Sequence, residues 1–176
     1  GRQGNDGCSD GHLQGEFYGL DDVGGEGEHV IRFLIVNNKG RCYPLTMSKT
    51  VYIETSIISY LASRPSRDLI AAGHQRLTHD WWNAERHDFS VYVSVLVLRE
   101  AGAGDTTAAS ARLQWLQGIP PVDITPEAEE LSELLIRQAA LPAKAAADAL
   151  HIAVAACHRL DFLLTWNCKH IANAVQ

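Results

Sequence analysis

The sequence predicts an α/β domain in three layers, with a central parallel sheet of four or five strands between two layers of helices. From Met47 onward, short apolar runs alternate with longer helical patterns. The runs "TVYIET" (50–55) and "FSVYVS" (89–94) have the length and the β-branched content of buried strands. Helices of about ten or more residues separate these runs, so the connections are crossovers and the strands run parallel.

The composition is that of a globular protein with an acidic balance. The chain has 176 residues and a formal net charge of -6. This charge argues against sequence-independent, high-affinity binding of nucleic acid, although it leaves room for a local basic rim. The cysteines are too widely spaced for a disulfide scaffold. With no apolar stretch near the roughly 20 residues of a membrane span and no signal-peptide pattern, we expect a soluble, cytoplasmic protein that does not bind membranes.

Residues 1–46 differ in composition from the rest of the chain. Ten of the 14 glycines lie there, among scattered acids. The segment has too few clustered apolar residues to offset the entropy of ordering it, which predicts a flexible leader or upstream extension before a domain spanning 47–176. A functional arm is the alternative interpretation. The run "VIRFLIV" (30–36) is the candidate strand in this segment.

The remaining elements follow from local signals in order. Helix starts are indicated by Pro126 and Pro142, and Gly118 with the Pro120-Pro121 pair indicates a stop. The predicted strands cover 50–55, 89–94, 122–125 and 161–166. The predicted helices cover 56–63, 67–87, 95–104, 106–118, 126–140 and 142–159, with a last one from about Asn167.

Polar residues lie at or near the ends of the predicted strands. Glu54 closes the first strand, Glu100 lies in the helix after the second, and Asn167 follows the fourth. Asp148 is an isolated acid in the second turn of an alanine-rich helix, where helix propensity does not favour it. Ligands of parallel sheets bind beyond the carboxyl ends of the strands, and clustered oxygen ligands suit Mg²⁺ or Mn²⁺. Taken singly, each acid is equally consistent with a solvated charge or a helix cap.

Three stretches in this order resemble the conserved blocks of PIN-domain proteins, specifically the VapC-like ribonuclease toxins of bacterial toxin-antitoxin pairs. They are "VYIETSIISYL", "SVLVLREAGAGD" and "AADALHIAVAACHRLDFLLTWNCKHIANA", and they cover about residues 50–174. The resemblance implies a PIN-like α/β/α fold and a metal-dependent endoribonuclease that uses Mg²⁺ or Mn²⁺. It also implies an RNA substrate, a cognate antitoxin protein and a homodimer. The catalytic and metal-binding positions it implies are Glu54, Glu100, Asp148 and Asn167, with Thr165 as the hydroxyl of the site.

The chain departs from the family pattern at two of these positions. The first acid of the family is usually Asp and is Glu54 here, and the fourth is usually Asp and is the neutral Asn167 here. The implied site then carries three formal negative charges instead of four. Weaker metal binding is expected from this loss of charge.

The reaction implied by the resemblance is hydrolysis of a phosphodiester to a 5′ phosphate and a 3′ hydroxyl. RNA phosphates would be contacted by basic side chains near the inferred edge of the sheet. For each of these side chains, a solvated surface charge is the alternative. The candidates are Arg64, Arg67, Arg99 and Lys169.

Two questions stay open from the residues alone. His151, one turn after Asp148, is either a ligand or proton carrier of the site or a core histidine whose nitrogens are satisfied. The function is a ribonuclease toxin, a catalytically silent PIN-fold module for RNA binding or dimerisation, or an unrelated hydrolase of small phosphorylated molecules.

Overall fold

The computed structural model describes residues 32–34, 49–138 and 140–171. The strands are β1 (Arg32–Leu34), β2 (Lys49–Ile53), β3 (Phe89–Ser94), β4 (Pro121–Val122) and β5 (Phe162–Leu164). The helices are α1 (Thr55–Ala62), α2 (Leu69–Ala84), α3 (Val95–Ala101), α4 (Thr106–Trp115), α5 (Pro126–Arg137) and α6 (Ala146–Cys157). Short 3₁₀ turns cover Arg86–Asp88 and Ala143–Ala145.

The five strands form one parallel sheet in the order β1-β5-β2-β3-β4. This confirms the predicted α/β class and the parallel sheet. The chain runs outward from β2 to β3 and β4, then crosses back to place β5 on the other side of β2. The order in which the chain adds strands therefore reverses between β2 and β5. Open α/β sheets bind ligands at such a reversal point. Ile53 pairs with Leu164 at this point, so the carboxyl ends of the two strands lie side by side.

The helices pack in two groups that flank the sheet, as the three-layer prediction requires. Helix α5 packs against α6, while α1 contacts α2, α3 and α4. Within the described ranges, no helix combines the length and the apolar character needed to cross a membrane.

The core centres on β2 and β5, which are covered on both faces. Val51, Ile53, Leu163 and Leu164 are fully buried. Continuous apolar runs are expected for strands of a parallel sheet that has helices on both sides. Tyr52 is also fully buried, so its hydroxyl must find a partner inside the protein.

Helix caps account for two differences from the predicted boundaries. Strand β4 covers Pro121–Val122 instead of 122–125, because the Thr125 side chain accepts a hydrogen bond from the Ala128 amide and begins α5. Helix α2 begins at Leu69 instead of residue 67, because the Asp68 carboxylate caps it.

The segments around α6 and after β5 also differ from prediction. Because Ala143–Ala145 form a 3₁₀ turn, α6 begins at Ala146 and Asp148 lies in its first turn instead of its second. In place of the helix predicted from Asn167, the described residues form one turn, closed by a hydrogen bond from the Ile171 amide to the Asn167 carbonyl.

Part of the predicted leader contributes to the sheet. Arg32–Leu34, inside the run "VIRFLIV", pair in parallel with Phe162–Leu164. Residues 1–31 and 35–48 lie outside the described residues. The predicted division of the chain at residue 47 therefore stays a prediction.

The burial of β5 predicts a large difference between two leucine substitutions. Leu163 is fully buried and Leu69 is 88% exposed. Leu163→Ala is expected to lower the free energy of unfolding by about 2–5 kcal/mol, because it removes buried methyl groups and leaves a cavity. Leu69→Ala is expected to change it by less than about 0.5 kcal/mol. Urea denaturation of both variants measures the difference, and equal losses would contradict the central position of β5.

Candidate metal centre

Glu54 occupies the turn between β2 and α1 and caps the helix. Its carboxylate accepts a hydrogen bond from the Ser56 amide at 3.0 Å and others from the hydroxyls of Ser56 and Thr165, the latter at 2.8 Å. Only 7% of the residue is exposed. Three donors compensate for the burial of the carboxylate, which would otherwise be costly. The Thr165 bond reaches Glu54 from the end of β5.

Glu100 lies near the end of α3, which starts directly after β3 because the Ser94 hydroxyl caps it. Its Oε2 atom accepts a hydrogen bond from the Thr55 hydroxyl and one from His151 Nε2, at 3.1 Å. Burial raises the pKa of Glu100, but the hydrogen bonds from His151 and Thr55 outweigh it, so the pKa is below its usual range. Glu100 is therefore an anion at neutral pH. Its Oε1 atom has no hydrogen bond from another described residue.

His151 is held between Glu100 and a buried pair of hydroxyls. Its Nδ1 atom is 2.7 Å from the Tyr52 hydroxyl, which is 2.7 Å from the Ser94 hydroxyl. Only 1% of His151 is exposed. Burial raises the pKa of Tyr52 above its usual range, which keeps the phenol protonated at neutral pH. Both nitrogens of His151 are thus satisfied, as the core interpretation required, yet the ring also adjoins the carboxylates.

Glu54, Glu100 and His151 form the group in the described part of the chain that fits a metal ion. Each offers one ligand atom, and these atoms lie within 4.8 Å of one another. Ligands on opposite sides of one ion, at about 2.1 Å each, would be separated by roughly 4.2 Å. Small side-chain adjustments therefore suffice for a shared ion. The donor set, two carboxylates and one imidazole, is also chemically suited to a divalent cation.

Asp148 is held by a different partner and is not a member of this group. Its carboxylate is 2.8 Å from His170 Nδ1, and the two side chains are 20% and 18% exposed. Asn167 links this pair to the first group. Its side-chain oxygen accepts a hydrogen bond from the backbone amide of His170 at 3.2 Å. Its backbone amide donates to the Thr165 hydroxyl at 2.8 Å.

The structure thus divides the predicted site residues into two hydrogen-bonded parts. Glu54 and Glu100 come together, whereas Asp148 and Asn167 are held through His170. Thr165 joins the parts, because its hydroxyl donates to Glu54 and accepts from the Asn167 amide.

The four predicted RNA contacts are all exposed side chains. Arg64 and Arg67 lie between α1 and α2, Arg99 precedes Glu100 on α3, and Lys169 lies in the turn after Asn167. Their role in phosphate binding stays a prediction.

Tyr52 and His170 take part in the centre without having been predicted from the sequence. Tyr52 lies in the buried stretch Val51–Ile53 of β2, where nothing in the apolar pattern indicates a polar contact with a residue 99 positions away. His170 follows Asn167 by three residues, the spacing at which a capping Asn accepts from a backbone amide, but this spacing does not indicate the contact of the His170 ring with Asp148.

Family models, curated proteins and solved structures were compared with the chain, and none matches it.

The lowered pKa of Glu100 predicts a pH-dependent contribution to stability. A carboxyl group with a lower pKa in the folded than in the unfolded state stabilises the protein above its unfolded pKa and loses that effect as the pH falls through the folded pKa. We expect wild type to be more stable than Glu100→Gln at pH 7, with the gap narrowing steadily from pH 5 to pH 3. Urea denaturation at several pH values measures this gap.

Glu130→Gln, at an exposed position of α5, is the matched control and should follow the wild-type pH profile. A gap for Glu100→Gln that stays constant or widens on acidification would contradict the prediction.

Proposed function

We propose that this protein is a metal-dependent endoribonuclease that hydrolyses RNA phosphodiester bonds and acts as the toxin of a toxin-antitoxin pair. One observation carries the proposal: Glu54, which directly follows β2, lies together with Glu100 and His151, and β2 pairs with both β3 and β5. This is the place in the sheet where a substrate site is expected.

The charge of the centre favours a bound cation. Two carboxylates with oxygens within 4.8 Å of each other repel, and the hydrogen bonds that they accept leave both formal charges in place. A phosphodiester is itself an anion and would be repelled by the same carboxylates. A divalent cation between them resolves both conflicts.

The chain's own residues divide the work of the proposed site. Glu54 and Glu100 would hold Mg²⁺ or Mn²⁺, and Asp148 would join them only by exchanging its hydrogen bond with His170. When bound, the ion would lower the pKa of a water molecule and neutralise charge on the phosphate oxygens. Thr165 and Thr55 fix the two glutamates by hydrogen bonds.

The substrate and partners of the proposal come from the resemblance to VapC-like proteins over residues 50–174. We propose RNA as substrate, a cognate antitoxin protein as inhibitor, a homodimer as the assembly and the cytoplasm as the location. The RNA backbone would contact the exposed side chains of Arg64, Arg67, Arg99 and Lys169.

A second candidate, a catalytically silent module that binds RNA or dimerises, is favoured by a separate observation. Asp148 is bonded to His170, and the neutral Asn167 uses its oxygen to cap the final turn. Two of the four family positions are thus engaged away from the glutamates. Such a module would bind RNA without a metal requirement and without cleavage.

Cleavage of a labelled single-stranded RNA separates these functions. Wild type should cut it with Mg²⁺ or Mn²⁺ and stop cutting in EDTA, leaving a 5′ phosphate. Because Glu100 is a proposed ligand, Glu100→Gln is expected to lower the rate by about 100-fold or more. Asp148→Asn should also lower the rate if Asp148 exchanges its partner on metal binding.

Glu130→Gln is again the control, because it removes an equal charge from an exposed position on α5 that is not part of the candidate centre. Cleavage that persists in EDTA, or that Glu100→Gln leaves intact, would refute the proposal. RNA binding without cleavage would favour the silent module, and turnover of a small phosphate ester alone would favour a different hydrolase.

A further inference from the structure

We propose that His151 is a third metal ligand, which completes with Glu54 and Glu100 a mixed nitrogen and oxygen site that selects Mn²⁺ over Mg²⁺. The inference rests on the metal site of the proposed function. It specifies the ligands of that site and the ion that it prefers. The resemblance implies ligands that are all oxygen atoms, whereas the described residues place an imidazole nitrogen among the carboxylates.

The position of His151 is suited to ligation. Its Nε2 atom faces Glu100 Oε2 at 3.1 Å, which is the separation of two adjacent ligands on an ion with bonds of about 2.1–2.2 Å. The other nitrogen is held by the Tyr52 hydroxyl at 2.7 Å. Metal-binding histidines almost always have such a partner on the second nitrogen, because it fixes the tautomer and the ring orientation.

The hydrogen-bond network can accommodate the required tautomer. A carboxylate only accepts, so Nε2 carries the proton that bonds to Glu100. Ligation needs the Nε2 lone pair and therefore the tautomer with its proton on Nδ1. In that tautomer Nδ1 donates to the Tyr52 oxygen, and the Tyr52 hydroxyl turns its proton toward Ser94, at 2.7 Å. His151 Nδ1 and the Tyr52 hydroxyl keep their partners in both arrangements.

The donor set explains the proposed selectivity. Mg²⁺ prefers oxygen ligands in a near-ideal octahedron and keeps several waters, whereas first-row transition ions accept imidazole readily. Asp148 and the Asn167 oxygen, the remaining oxygen donors of the family pattern, are bonded to His170. The site therefore offers fewer oxygen ligands and one nitrogen ligand, which disfavours Mg²⁺.

Electron spin echo envelope modulation of Mn²⁺ bound to the full chain tests, without RNA, whether His151 is a ligand. Wild type should show ¹⁴N coupling from one directly bound imidazole, and protein containing ¹⁵N-histidine should replace it with the ¹⁵N pattern. Because this comparison needs no substitution, it does not depend on whether a variant folds. Competition between the ions should give Mn²⁺ at least about tenfold tighter binding than Mg²⁺.

Four variants identify the nitrogen ligand and test its hydrogen-bond partner. His151→Gln should abolish the coupling and weaken Mn²⁺ binding by about tenfold or more, with a smaller effect on Mg²⁺. Tyr52→Phe should keep the coupling but weaken binding to a lesser extent, because the ring stays and only its partner is lost. His158→Gln is the control, because in wild type His158 Nε2 contacts the Asp123 carbonyl. His170→Gln tests the histidine that is bonded to Asp148.

The outcomes separate this inference from the proposed function. Bound Mn²⁺ without nitrogen coupling overturns the role of His151 and leaves the proposed ribonuclease with oxygen ligands. Coupling that is lost in His170→Gln and kept in His151→Gln also overturns it, because the nitrogen then belongs to His170. Coupled Mn²⁺ in a protein that does not cut RNA supports the ligand and overturns the nuclease. Absence of Mn²⁺ binding in wild type overturns both.

Discussion

The hydrogen bond from the Thr165 hydroxyl to the Glu54 carboxylate is the interaction on which the candidate centre depends. It is buried and joins residues 111 positions apart at the ends of β5 and β2. The Ser56 hydroxyl supports it by accepting from the Trp166 amide at 2.9 Å. These contacts tie the segment after β5 to the start of α1. They therefore help to fix Asn167 and His170 relative to the glutamates.

Burial on both faces explains why the sheet could be predicted from the sequence. Strands β2 and β3 contain the short apolar stretches Val51–Ile53 and Val91–Val93, which are rich in β-branched residues and so predict buried strands. The limits of β4 were not predictable in the same way. Thr125 suits a strand by its β-branched shape and a helix start by its hydroxyl, and the structure uses the second property.

The part of the candidate site that follows strand ends could be predicted from the sequence. Glu54 and Glu100 follow neighbouring parallel strands, so the topology alone brings them to one edge. The partner of Asp148 was not predictable, because its contact with His170 depends on how α6 meets the turn after β5. The same holds for Tyr52, whose hydroxyl meets His151 only once α6 packs on the sheet. Local pattern gives the order of elements, whereas side-chain partners require their packing.

The pairing of β1 with β5 has a consequence for the edges of the sheet. Among the described strands, β4 lies at the far edge of the sheet, and its Pro121 has no amide hydrogen and so discourages further strands from adding. At the near side, β1 covers β5. A chain shortened to begin at Met47 would leave the β5 backbone uncovered beside the candidate centre. The backbone hydrogen-bonding groups of β5 would then be open to pairing with a strand of another chain.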